Sequence, residues 1–186
     1  MSRWQPDARE RLERAAVELF VEHGFAETTV PQIATRAGLT TRTYFRHFAD
    51  KREVLFGSDD ELAPMIAGLM ADAAPELGPF DAIAQALNTV AGRLQPQYDF
   101  MIVRHRVVQG DDGLRERELR KRAALTAEIA SGFRQRGEDE LTSLVAAHLA
   151  TSVMGLSIER WLTWPGMSSL PDHVREALTA ARGMLG

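Results

Sequence analysis

Apolar residues recur every three or four positions along this chain and nowhere alternate one by one, a pattern that predicts helices and no strands. Over 7–23, Leu12, Ala15, Ala16, Leu19 and Phe20 make a single apolar stripe. Gly24 follows where a helix can end in the left-handed conformation, with Phe25 placed to pack behind it. Thr29 and Gln32 have the spacing of a capping box, Pro31 falls in the first helical turn, and Gly38 stops this second helix after about two turns. Thr40 caps a third helix carrying Thr41 through Phe48, and Asp50 with Glu53 resembles the start of a fourth. Further helices fit 60–73, 80–94, 97–109, 113–136, 138–163 and 171–185, separated by Pro75, Gly78-Pro79, Pro96, Gly110 to Gly113, Gly137 and Pro165-Gly166. The expected fold class is all-α.

Composition narrows the function classes. With no cysteine there are no disulfides, zinc-thiolate sites or thiol catalysis. The chain turns polar at once after Met1, and no run is expected to reach the ~18 apolar residues of a membrane span. A cytoplasmic protein without membrane attachment is the expectation. The formal net charge of -4 argues against a nucleic-acid partner until it is divided. Residues 1–56 hold nine Lys/Arg and eight Asp/Glu, whereas residues 57–186 hold thirteen and eighteen. Between Arg36 and Arg52 the cations are Arg36, Arg42, Arg46, Lys51 and Arg52, against Asp50 alone. Such a local patch suits a phosphate backbone, although a solvated basic face would look the same.

Two short helices around a Gly-containing turn make a helix-turn-helix over 29–48. Thr41, Arg42, Thr43 and Tyr44, at the start of its second helix, offer donors and methyl groups to base edges in a major groove. Thr29, Thr40, Arg46, His47 and Lys51 are candidates for phosphate contacts.

In ordered sequence, Ala16-Val17-Glu18-Leu19-Phe20, Gly24-Phe25, Thr28-Thr29-Val30, Ile33-Ala34, Ala37-Gly38-Leu39-Thr40, Thr43 to Phe48 and Lys51 to Leu55 resemble the TetR family of bacterial regulators. The resemblance covers about the first 55 residues. It implies a three-helix DNA-reading head over 1–56 on a helical body over 57–186 that binds an effector and dimerises. It also implies a homodimeric repressor on a near-palindromic operator, released by a small apolar or amphiphilic effector. One position departs from the pattern: the family usually has tyrosine where this chain has Phe45, and that hydroxyl commonly touches a phosphate. Phe45 has no such group.

In the body, Met65, Leu69, Phe100, Met101, Arg104, His148 and Trp161 are candidate effector contacts, with Arg104 as anchor for an anionic head group. Leu149, Val153, Leu156, Val174 and Leu178 are the candidate dimer contacts, on the two last helices. Asp111-Asp112 reads as a helix cap, and the mixed-sign run from Arg115 to Arg122 as a solvated face. Neither a nucleophile elbow, a Gly-rich phosphate loop nor a metal-ligand cluster is visible, so no catalytic residue, metal or cofactor is expected. The competing reading is an all-helical carrier or adaptor whose first segment binds no DNA, and the basic stretch weighs against it.

Overall fold

A computed structural model describes residues 8–56, 59–164 and 169–184. Among them lie nine α-helices: α1 (Ala8–His23), α2 (Val30–Arg36), α3 (Thr41–His47), α4 (Asp59–Ala71), α5 (Pro79–Leu94), α6 (Tyr98–Gln109), α7 (Asp112–Gln135), α8 (Glu140–Thr163) and α9 (Leu170–Met184). No strand occurs among the described residues. The expected helix ends at Asp7 and Leu185 and the break at Pro165-Gly166 lie outside them. The predicted fourth helix start at Asp50 is instead a short 3-10 turn, Glu53–Leu55. Asp50 Oδ1 caps it by accepting from the Arg52 and Glu53 N–H groups, at 2.8 and 2.9 Å.

The chain forms two compact units. The first contains residues up to Asp59 and also Asp99–Glu118. An expected division after residue 56 treats the head as one continuous stretch, whereas α6 and the first turns of α7 supply part of its core. Val108 and Leu114 join Leu12, Leu19, Phe20, Ile33, Tyr44, Phe48, Leu55 and Phe56 in one buried cluster. Polar ties reinforce it. Arg104 donates to the Leu55 carbonyl at 2.7 Å and to Glu118 at 2.9 Å, and lies over the Phe56 ring. Arg117 pairs with Asp50 and Glu53. Arg117 and Glu118 therefore face inward, although the run 115–122 reads as a solvated face. Asp111 caps α7 as expected, accepting from Leu114 N–H at 2.9 Å.

The second unit is built on α5, α8 and α9. α5 buries Ile83, Leu87, Val90 and Leu94 along one stripe, and α9 buries Val174, Ala177, Leu178 and Ala181. α8 buries Ala146, Ala147, Ala150, Val153, Met154 and Trp161, its small residues allowing close helix approach. Gly132 on α7 meets the Ala67 carbonyl of α4, where any Cβ would collide with backbone. α8 also corrects one expectation. An 18-residue window has a mean hydropathy of 1.6, so by length and composition it could cross a membrane. It nevertheless buries Ser143, Thr151 and Ser157 in the helical core.

Candidate nucleic-acid interface

The geometry of α2 and α3 follows from their caps. Gln32 Oε1 accepts from the Thr29 N–H and from its hydroxyl, each at 2.8 Å. Thr40 Oγ1 accepts from the Thr43 N–H at 3.1 Å and sits 3.0 Å from the Thr43 hydroxyl. Such caps satisfy N–H groups that a short helix would otherwise leave unpaired. Gly38, at φ +65°, turns the chain between the two helices in a conformation that side chains disfavour. Arg11 of α1 fixes that turn by donating to the Ala37 carbonyl at 2.5 Å.

α3 presents Arg42, Phe45 and Arg46 to solvent, with Thr41, Thr43 and His47 half-buried. Arg46 reaches the His47 ring at 3.5 Å. Thr29 and Thr40 are exposed at the helix starts. Of the residues expected to face DNA, Thr29, Thr40, Arg42 and Arg46 are thus the exposed ones.

Two expected site residues are placed otherwise. Tyr44 is 0% exposed and packs against Phe48, its hydroxyl donating to the Asp50 carbonyl at 3.1 Å. Burial pushes its phenol above the ordinary tyrosine range, and the Asp50 charge adds to the effect. Tyr44 is thus a core residue and offers no group to a base. Its neighbour Phe45 is the outward aromatic, 55% exposed, with its ring edge-on to Tyr44.

Lys51 is the second. Its Nζ donates to the carbonyls of Phe25, Ala26 and Thr28 at 2.6, 3.2 and 2.9 Å and lies 4.3 Å from the Phe25 ring centroid. An ammonium has three protons to donate, and all three are spent on this loop. Burial, with Arg52 nearby, pulls its pKa below the ordinary lysine range against the opposing pull of Asp111 and Glu27. Lys51 closes the end of α1 and is not free for a phosphate. Arg36 is committed too, gripping Glu22 at 2.9 and 2.7 Å and Glu18 at 3.3 Å.

The candidate effector residues divide between the units. Phe100 and Met101 are half-buried in the first, where Arg104 is held by Leu55 and Glu118 and cannot serve as a free anchor. In the second, Met65 and Leu69 are half-buried, and Met65 takes the Arg93 guanidinium at 2.7 Å. Trp161 is buried, edge-on to Tyr98 with centroids 4.9 Å apart. His148 is on the exposed face of α8, so it does not reach the interior. Of the candidate dimer contacts, Val153, Val174 and Leu178 are buried within the subunit and are corrected to core residues. Leu149 is half-buried and Leu156 is 50% exposed.

Comparison with known proteins gives concordant matches. Residues 13–57 match the profile TetR_N, described as "Bacterial regulatory proteins, tetR family". The chain is 32% identical over 145 residues to the HTH-type transcriptional regulator TcmR of Streptomyces glaucescens, covering 75% of this chain and 59% of TcmR. It is 26% identical over 171 residues to the transcriptional regulator MftR of Mycobacterium tuberculosis, covering 92% of this chain and 85% of that protein. The fold matches the crystal structure of Thermus thermophilus FadR, a TetR-family transcriptional repressor in complex with lauroyl-CoA. That match has a TM-score of 0.58 and 26% identity, and covers 92% of this chain and 91% of FadR.

Proposed function

We propose that this chain, whose residues 13–57 match the TetR family of bacterial regulatory proteins, is a ligand-responsive transcriptional repressor acting as a homodimer on a near-palindromic operator. The observation that carries this reading is α3 itself. It is a short capped helix whose outer face combines Arg42 and Arg46 with the half-buried hydroxyls of Thr41 and Thr43. Arginine on a base edge and on phosphate is the commonest chemistry of major-groove reading. Thr29, Thr40 and His47 flank it as phosphate contacts. Such a regulator works on cytoplasmic DNA.

A second copy has a surface available on α8. Leu141 and Val145 are 71% and 59% exposed, and Leu144 and Leu156 lie on solvent-facing positions of the same helix. Apolar side chains left uncovered along a core helix suit an isologous interface, in which both subunits offer the same patch. Such a dimer would bring two α3 helices to one duplex.

The effector is proposed to be small and apolar or amphiphilic, in line with the lauroyl-CoA bound by the FadR relative. It would bind the helical body and act through its different affinity for the DNA-bound and free states. The test is a gel shift on duplexes selected from a random pool, repeated over a salt series and with added lauroyl-CoA. Affinity that falls steeply with salt supports the reading, since phosphate contacts release counterions. Absence of binding to any duplex at low salt returns the carrier or adaptor reading.

A further inference from the structure

We propose that Phe45 is a sequence-reading residue, its ring packing against the C5-methyl group of a thymine in the major groove. The inference rests on the DNA-binding reading above and specifies what the exposed face of α3 recognises. Phe45 is 55% exposed while the adjacent Tyr44 fills the inward position. The core therefore does not require an aromatic at 45. Arg42, one turn earlier, and Arg46, one residue later, are both exposed, so the ring projects from a cationic face. That face complements a polyanion, which brings the ring to the same surface the arginines approach.

The ring has no hydrogen-bonding atom and cannot hold a phosphate. Among major-groove groups, the thymine methyl is the one suited to an apolar partner. Thr41 and Thr43 are half-buried, and the Thr43 hydroxyl is turned to that of Thr40, so the ring is the more open apolar group on this face. The side chain thus gives α3 an apolar element beside two charged ones.

The experiment is a double comparison on the full-length protein. A duplex selected from a random pool is prepared once with thymine and once with uracil throughout, which removes the methyl groups alone. The unaltered protein should bind the uracil duplex more weakly, by about fourfold for each methyl covered. Phe45→Ala should bind both duplexes alike, and Phe45→Leu should keep part of the preference. Because the side chain is exposed, both variants should retain the parent melting temperature. A Phe45→Ala protein that still prefers thymine overturns the proposal, as does equal weakening on both duplexes, which marks packing on the sugar-phosphate surface. Failure of the unaltered protein to select any duplex overturns the DNA-binding reading instead, and this one with it.

Discussion

The guanidinium of Arg104 donates through Nε to the carbonyl of Leu55 at 2.7 Å, joining α6 to the 3-10 turn that follows the helix-turn-helix. Arg104 is buried, and it also pairs with Glu118 and lies over the face of Phe56. Removing it leaves a carbonyl and a carboxylate without their charged donor. Arg104→Ala is expected to lower the stability of the chain by about 1.5–3 kcal/mol, read by chemical denaturation. Arg104→Lys should recover little, because an ammonium cannot reproduce the planar fork that serves both acceptors.

The cations of the head should separate by experiment into readers and braces. Arg42→Ala is expected to cost ~1–3 kcal/mol of binding and to relax sequence preference. Arg46→Ala should weaken all sequences alike and lower the salt slope by about 1. Lys51→Ala should leave that slope unchanged and lower the melting temperature, since its ammonium is held by three carbonyls. A reduced slope for Lys51→Ala would put it back among the phosphate contacts.

Tyr44 predicts a pH effect of defined sign. Its phenol is shifted up in the folded chain, so the folded state holds that proton more tightly than the unfolded state does. Its contribution is fully present below the unfolded value of about 10 and is lost as pH rises above it. Tyr44→Phe should cost about 0.5–1.5 kcal/mol at neutral pH, through the lost bond to Asp50, and should remove this part of the alkaline decline. Denaturation curves at pH 7 and above pH 10 provide the check.

Two substitutions on α8 should differ in kind. Leu156→Glu puts a charge on the uncovered face and is expected to give folded monomers in sedimentation. Val153→Glu puts it inside the subunit and should unfold the second unit, because an unpaired buried carboxylate is costly. A dimer that survives Leu156→Glu moves the interface away from this part of α8.

The caps at Thr40 and Asp111 and the turn at Gly38 are local properties, and all are legible in the sequence. The phase of α3 is not. With seven residues and apolar side chains at both 44 and 45, periodicity alone does not say which one faces inward. The deciding contact, from the Tyr44 hydroxyl to the Asp50 carbonyl, is tertiary. A similar limit applies to Val153, Val174 and Leu178. An apolar stripe announces burial but does not say whether the covering surface belongs to the same chain or to a second copy. The roles of Lys51 and Arg104 are hidden for another reason: a cation's sequence position carries no sign of the carbonyls that claim it.

The meeting of Gly132 with the Ala67 carbonyl has a mechanical consequence. With backbone already against backbone, α4 and α7 can come no closer at that point, and a side chain could only force them apart. The crossing is therefore a spacing that a residue without a side chain alone permits, and Gly132→Ala would wedge the two helices open at that point.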